Sequence, residues 1–329
     1  MKIIDTHAHA VFPGAINGYV ADLVASRANP TTGGPRTPVT DEMLREPMAR
    51  HVAAMDKVGT DVQIISPRPF MQLHSVDPAA VTQAWVRYNN NAIARQVAMF
   101  PDRIKGMAGL PQHRNLDLAP VIEELERAVS ELGFIGCLLN PDPGEGGQLP
   151  PPGLGDKYWY PLYEKLVELD VPALVHSASS QHPRESYTLK FINEESIATI
   201  SLIESTVFED FPTLKIIVPH GGGAIPYQMG RFHSWSIRRK QESLFLERLG
   251  KIWFDTTLYS EQALRLLFEV MGTDRLVFGT ERPGTGTAAN PATGRDFDDI
   301  KPVVQSLLDE AGQRAVFQDN AVKLFGDCF

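Results

Sequence analysis

Cysteine is scarce in this sequence, and long apolar runs are missing. The 329-residue chain holds only Cys137 and Cys328, which are too few for a disulfide framework and are not spaced as a metal-binding pair. No apolar run approaches the roughly 18 residues that cross a membrane, and no signal peptide is visible. We therefore expect a cytoplasmic protein without a membrane partner.

An excess of positive charge is also lacking. The chain has 31 Lys and Arg against 40 Asp and Glu, a formal net charge of −9. Because phosphate binding favours a basic surface, we expect no nucleic-acid partner. A small anionic substrate needs only a local basic pocket and stays compatible with this charge. The 43% of hydrophobic residues is ordinary for a globular protein with a large core.

Short apolar segments alternate with helical stretches eight times along the chain. The segments lack polar alternation, as is typical of parallel strands buried on both faces. Eight such units predict an α/β fold, a (β/α)8 TIM barrel, as one domain over residues 1–329. The predicted strands cover residues 2–9, 62–67, 104–111, 136–141, 172–176, 215–221, 251–257 and 275–281.

Helices and loop inserts fill the intervals between the predicted strands. Two inserts, at about 10–39 and 282–296, follow strands or their neighbourhood and are expected to roof an active site. The predicted helices cover residues 40–58, 78–99, 118–132, 158–170, 194–211 and 261–271.

Histidines and one glutamate end several predicted strands. His7 and His9 end the first, His176 the fifth, His220 the sixth and Glu281 the eighth. In a barrel these ends form the active-site mouth. Residues i and i+2 share one face of a strand, so the first pair can approach one ion from one side. Each histidine alone is usually a hydrogen-bonding residue, but their coincidence predicts a catalytic divalent-metal site.

Three further residues at strand ends each have two interpretations. Asp255 is either a helix cap or an acid that orients a histidine ligand. Arg68 is either a surface arginine or a clamp for a substrate carboxylate, and its place at the predicted mouth favours the clamp. Asn140 either faces substrate or serves the turn before Pro141.

The HGGG run at 220–223 is also found in the oxyanion holes of some hydrolases. No GxSxG nucleophile motif accompanies it, so we reject that interpretation. The glycines are instead expected to let the loop pass close to substrate and to open the next helix.

Several motifs together resemble the amidohydrolase superfamily. They are DTHAH at 5–9, the lone His176, FPTLKIIVPHGGG at 211–223 and NAVKLF at 320–325. Over nearly the whole chain they are similar to aminocarboxymuconate-semialdehyde decarboxylases and resorcylate decarboxylases. Decarboxylases of this branch usually carry aspartate at the end of strand eight. The glutamate of GTERP, Glu281, instead resembles the 4-oxalomesaconate hydratases.

The resemblance implies a barrel of the metal-dependent hydrolase type that holds a zinc ion, with another divalent ion such as manganese as the alternative. His7, His9, His176 and Glu281 would surround it, with His220 beside it. The implied reaction is reversible addition of water to a double bond conjugated to a carbonyl or carboxylate, in bacterial breakdown of aromatic acids. Glu281 and His220 are then the acid–base candidates. Whether Glu281 binds the metal, moves a proton or does both stays open.

Other functions stay open beside the hydratase. The first alternative is a metal-dependent decarboxylase of an aromatic or muconate-type acid with the same ligands. A hydrolase of a cyclic ester or amide comes next, and a barrel that binds a ligand without turnover is the last. Because barrels of this branch are often dimers, a homodimer or higher homo-oligomer is expected.

The chain departs from the hydratases at two places near the expected substrate. Thr287 stands where the hydratases hold an arginine, six residues after the strand-eight glutamate. Tyr187 and Phe191 lie in the segment where the hydratases carry paired tyrosines. The resemblance therefore supports the chemistry better than the identity of the unsaturated carboxylate.

Overall fold

A computed structural model describes residues 1–29, 35, 38–147 and 150–329. Its strands are short and parallel, as the apolar segments predict, and every strand residue is buried except the half-buried Lys105. Each strand lies within a predicted segment. The strands are β1 Ile4–His9, β2 Val62–Ser66, β3 Ile104–Gly106, β4 Cys137–Leu139, β5 Ala173–Val175, β6 Ile216–Val218, β7 Trp253–Asp255 and β8 Leu276–Val277.

The strands pair in chain order, in one run from β1 to β3 and another from β4 to β8. Backbone hydrogen bonds join the two runs at both ends. The Ala108 amide donates to the Gly136 carbonyl at 2.8 Å, which links the end of β3 to β4. The Thr6 amide donates to the Phe278 carbonyl at 2.8 Å, which links β1 to the end of β8. The eight strands therefore form a closed ring, and the predicted TIM barrel is confirmed.

Helices surround the ring. The described helices are α1 Ile16–Ser26, α2 Asp41–Val58, α3 Ala79–Met99, α4 Ala119–Ser130, α5 Tyr160–Glu168, α6 Tyr187–Ile203, α7 Val207–Asp210, α8 Ile225–Arg238, α9 Glu242–Leu249, α10 Glu261–Met271, α11 Lys301–Leu307, α12 Glu310–Arg314 and α13 Asn320–Phe325. Short 3-10 turns cover Pro69–Met71, Lys157–Trp159 and His220–Gly222, and a π-helical turn covers Ala315–Asp319. Over the described residues, none of the helices is both long and apolar enough to cross a membrane.

Two helices differ from the predictions. The first insert is not all loop, because Ile16–Ser26 is helical; Tyr19 packs on Tyr88 of α3, with ring centroids 4.6 Å apart. Residues 30–34, 36 and 37 of that insert lie outside the described residues. The helix predicted over 194–211 begins instead at Tyr187, because Ser186 caps it by accepting from the Leu189 amide, and ends at Ile203.

The two faces of the strands pack into different layers. On each strand, one set of alternate positions, such as Cys137 and Val175, joins the large core beneath the helices. Alternate positions, among them Ile64, Leu174 and Trp253, form a separate apolar cluster. Because the strand period is two, the next residues on that second face are Ser66, His176 and Asp255. Along this face, each of these strands therefore passes from the apolar cluster to a polar residue at the mouth of the barrel.

Candidate active site

Three histidines and one glutamate meet at the mouth of the barrel. β1 supplies His7 and His9 two residues apart, and His176 directly follows β5. The three rings are neighbours, with centroids 5.2–5.3 Å apart. One ligand atom from each of His7, His9, His176 and Glu281 lies within 4.8 Å of the others. The structure therefore brings together the four residues predicted to hold a metal. We call these four the metal-directed residues.

The second nitrogen of each imidazole is held by the protein. His7 Nδ1 lies 2.7 Å from Asp255 Oδ2, and His176 Nδ1 lies 2.7 Å from the Ser177 carbonyl. His9 Nδ1 lies 3.0 Å from Ser66 Oγ, whose own hydroxyl donates to the Ala8 carbonyl. All three partners thus accept from Nδ1, which leaves the lone pair of each neutral ring on Nε2.

The three Nε2 atoms are buried without a hydrogen-bond partner among the described residues. Burial lowers the pKa of His9 to about 4 and that of His176 well below its ordinary value. The rings of His9 and His176 are therefore neutral at ordinary pH, and their unpartnered Nε2 atoms lie near that of His7. Three such nitrogens and one carboxylate are the donor set of a divalent metal site, so the residues fit the metal that the sequence implies.

Glu281 completes the set from the segment after β8. Its backbone is left-handed, with φ of 57°, and its amide donates to the His7 carbonyl at 2.7 Å. Tyr259 donates its hydroxyl to Glu281 Oε2 at 2.8 Å, and Oε1 lies 3.6 Å from His9 Nε2. Burial opposes ionisation of Glu281, but His220 and His9 outweigh it and lower its pKa. Glu281 therefore faces the metal-directed nitrogens as a carboxylate.

His220 stands beside the set, as expected. Its backbone is also left-handed, with φ of 50°, which is uncommon for a residue with a side chain. His220 Nδ1 lies 2.7 Å from Glu195 Oε1, and Nε2 lies 3.8 Å from Glu281 Oε2. Burial works against protonation of His220, yet Glu195 and Glu281 raise its pKa well above the ordinary value. The ring is placed to hold a proton next to Glu281.

The glycines after His220 are required by close packing. Gly221, Gly222 and Gly223 all have positive φ, of 64°, 83° and 61°. A Cβ on Gly222 would lie 2.6 Å from the Phe254 ring. The glycines therefore let this loop pack closely against the neighbouring strand β7, and helix α8 begins shortly after the loop.

Asp255 orients His7 and does not cap a helix. Its Oδ2 also accepts from Thr257 Oγ1 at 2.9 Å, and the carboxylate is fully buried. Burial opposes its ionisation, but the contact with His7 lowers its pKa overall. The next helix, α10, is capped by Ser260, which accepts from the Ala263 amide. These contacts favour the orienting acid over the helix cap, and its action on a metal ligand stays a prediction.

Arg68 lies at the cavity beside the metal-directed residues. Its Nη2 donates to the Pro283 carbonyl at 3.3 Å, and among the described residues it forms no carboxylate ion pair within 4 Å. Burial lowers its pKa, while Tyr187 and Glu281 act in the opposite direction. The cavity measures about 230 Å³ and is lined by His9, Arg68, Pro69, Phe70, Tyr187, Glu281, Pro283, Gly284, Thr285 and Thr287.

Asn140 is engaged within its own turn. Its Oδ1 accepts from the Asp142 amide at 3.0 Å, and its Nδ2 lies 2.7 Å from His74 Nδ1. It does not line the described cavity next to Glu281. These contacts favour the turn interpretation, and substrate binding by Asn140 stays a prediction.

The second insert is irregular, as predicted for 282–296. Arg282 forms ion pairs with Asp296 and Asp298, and Thr287 Oγ1 donates to Asp298 Oδ2 at 2.8 Å. These contacts hold the segment folded back on itself, with Thr285 and Thr287 turned to the cavity beside Arg68.

Sequence reasoning missed three side chains that support the site. Glu195 holds His220, Tyr259 holds Glu281 and Ser66 holds His9. Glu195 lies within a helix, where a glutamate usually faces solvent, so no local pattern marks it. Ser66 gave a usable signal, because it ends β2 as His9 ends β1.

Known proteins resemble this chain in both sequence and fold. The amidohydrolase family profile matches residues 4–326. The chain is 38% identical to the 2-keto-4-carboxy-3-hexenedioate hydratase of Sphingobium sp. strain SYK-6, covering 99% of this chain and 96% of the hydratase. It is 27% identical to the 2-amino-3-carboxymuconate-6-semialdehyde decarboxylase of Dictyostelium discoideum, covering 70% of this chain and 65% of that enzyme. The crystal structure of 4-oxalomesaconate hydratase from Rhodopseudomonas palustris superposes with a TM-score of 0.87 and 31% identity, covering 98% and 95% of the chains.

Proposed function

Because the chain belongs to the amidohydrolase family, we propose that it is a metal-dependent hydratase, a lyase of bacterial aromatic-acid degradation. It would add water to the carbon–carbon double bond of an unsaturated oxo-carboxylate, 4-oxalomesaconate or a related ring-cleavage product. The family match over residues 4–326 also supports our proposal that residues 1–329 form a single domain.

One observation carries the hydratase proposal. The chain is similar to a hydratase over 99% of its length at 38% identity, whereas its similarity to the semialdehyde decarboxylase covers 70% at 27%. The second hydratase, from R. palustris, is similar over 98% of this chain. The presence of Glu281 among the three histidines agrees with this assignment.

We assign the metal to His7, His9, His176 and Glu281, and zinc is the proposed ion. Three neutral imidazoles and one carboxylate suit zinc, and Asp255 fixes one of these rings in the ligating tautomer. When bound, such an ion lowers the pKa of a coordinated water and polarises a substrate oxygen. Metal analysis of the purified protein, compared after growth with zinc and with manganese, tests the identity of the ion.

Arg68 is the proposed receptor of a substrate carboxylate. Its guanidinium faces the cavity that Glu281 lines, and it forms no carboxylate ion pair with the described residues. A guanidinium can bind a carboxylate through two parallel hydrogen bonds, which sets both position and orientation. The double bond of the bound acid would then lie over the ligand set.

Glu281 and His220 are the proposed acid–base groups. Hydration adds the water oxygen to one alkene carbon and a proton to its neighbour, with no change of redox state. His220 Nε2 lies 3.8 Å from Glu281 Oε2, so a proton can pass between this pair and a substrate carbon beside it. Glu195 holds Nδ1 of the ring and thereby aims Nε2 into the site.

A decarboxylase is the second candidate, because the semialdehyde decarboxylase is also similar to this chain. Incubation with 4-oxalomesaconate, and separately with 2-keto-4-carboxy-3-hexenedioate, distinguishes the two reactions. The hydratase proposal expects loss of the conjugated ultraviolet absorbance without carbon dioxide. Stoichiometric release of carbon dioxide would instead support the decarboxylase and refute the hydratase proposal.

A further inference from the structure

Two half-exposed aromatic side chains meet at the rim of the cavity. Phe70 lies in the 3-10 turn after β2 and is 41% exposed, and Tyr187 opens α6 and is 48% exposed. Their ring centroids are 6.1 Å apart, and the rings cross at 72°. Both residues line the cavity with Arg68 and Glu281. Their open ring surface stays in water until a ligand covers it.

The aromatic surface continues from the rim to the imidazoles. Tyr187 and Phe191 lie one helical turn apart on α6, with ring centroids 4.7 Å apart. Phe191 is buried; its ring crosses that of His176 at 5.1 Å and lies within 16° of parallel to that of His220. One wall of the site is therefore a row of aromatic rings that ends at the metal-directed residues.

The other lining groups are polar. Arg68 supplies the cation, and Thr285 and Thr287 lie along the same cavity. A ligand that satisfies both kinds of wall has a carboxylate at one end and a flat, apolar body. An aromatic ring attracts the face or edge of a conjugated system beyond simple area burial, which a puckered saturated chain cannot match.

We propose that Phe70 and Tyr187 are specificity-determining residues that select planar, conjugated carboxylates over saturated carboxylates of the same charge and length. This inference rests on the proposed function, whose substrate is an unsaturated acid. It assigns the selection to the rim rings, while Arg68 recognises the carboxylate that both kinds of acid share.

Sorbate and hexanoate are suitable probes, because they share six carbons and one carboxylate but differ in conjugation. Their dissociation constants are measured by ligand-observed NMR on the full, metal-loaded protein. The wild type is expected to prefer sorbate by roughly threefold to tenfold, the size of an aromatic pair interaction. Tyr187→Leu should bring the ratio close to one, whereas Tyr187→Phe should keep it.

The matched control is Tyr227→Leu. Tyr227 lies on α8, is 77% exposed and does not line the cavity, so its loss should leave the preference unchanged. Should Tyr187→Leu misfold by circular dichroism, Phe70→Leu tests the same wall and should reduce the same ratio. The proposal would be overturned if the wild type bound both acids with equal affinity. It would also be overturned if Tyr187→Leu weakened the binding of sorbate and of hexanoate by the same factor.

The test separates this inference from the proposed function. The protein could prefer sorbate through these rings and yet hydrate none of the unsaturated oxo-acids. That result would support selection by Phe70 and Tyr187 and refute the hydratase proposal. Hydration of 4-oxalomesaconate with an unchanged sorbate ratio in the folded Tyr187→Leu and Phe70→Leu variants would support the hydratase and refute the rim.

Discussion

The metal-directed residues and the cavity rim lie side by side but are built in different ways. Each histidine of the set is buried and has its Nδ1 held by a fixed acceptor. At the rim, Phe70 and Tyr187 are half exposed, and Arg68 donates to a single carbonyl. The difference indicates a rigid centre for the chemistry and a less constrained surface for substrate choice.

Loss of a metal-directed histidine should have the largest effect. His176→Ala removes one of the three imidazoles, and we expect metal affinity to fall by more than about 100-fold, because even loss of an outer partner costs 10- to 100-fold. Turnover should fall below detection, while the barrel stays folded. Metal content, activity and circular dichroism check this, with the exposed loop variant His182→Ala as the control. Full activity of His176→Ala would refute the assigned centre.

Asp255→Asn tests whether the rigidity of the centre matters. The amide can donate to His7 Nδ1, which would place the ring proton on Nε2 and block its lone pair. We expect metal affinity to fall by roughly 10- to 100-fold. Competition with a chelator measures it, and Asp274→Asn, at an exposed position, serves as the control. Unchanged affinity would mean that the 2.7 Å contact to His7 is dispensable.

Arg68→Met tests the rim side of the comparison. Loss of a charge-assisted hydrogen-bond pair should raise KM by roughly 10- to 100-fold. Bound metal should stay at the wild-type level, because Arg68 is not among the four metal-directed residues. Arg68→Lys keeps the charge without the two parallel donors, so its KM should lie between those of the wild type and Arg68→Met. A drop in metal content, with KM unchanged, would contradict the division between centre and rim.

The change in thermal stability on metal removal is expected to be the smallest of these effects. Free ion at 100 times its dissociation constant stabilises the folded state by about 2.7 kcal/mol, or roughly 4 °C in the melting temperature of a chain this long. Chelation should remove this shift from the wild type and from Arg68→Met alike. His176→Ala should melt at one temperature with and without chelator. A chelator-sensitive His176→Ala would place the ion elsewhere.

The predicted strands locate the site well because the rule is local. Buried parallel strands with a period of two put His7 and His9 on one face, and the barrel brings His176 and Glu281 to the same end. Helix α6 was placed less well. Its start at Tyr187 depends on the Ser186 cap, which is less distinctive in sequence than the apolar run further along.

Sequence reasoning reached the supporting contacts only in part, for a different reason. Asp255 and His7 are 248 residues apart, and Glu195 could not be assigned to His220 before the helix was placed. Asp255 had two equal interpretations until the structure showed a separate cap on α10. Contacts of this kind belong to pairs of elements, and neither member carries a local signal.

The sequence by itself determined the barrel and the residues at its mouth, because burial on both faces and a period of two are written into each strand. Only the tertiary structure decided which imidazole nitrogen faces the metal position and that Arg68 has no carboxylate partner among the described residues. It also decided that Phe70 meets Tyr187 at the rim. These features depend on distances between elements far apart in the chain, and those distances exist only once the ring of strands has closed.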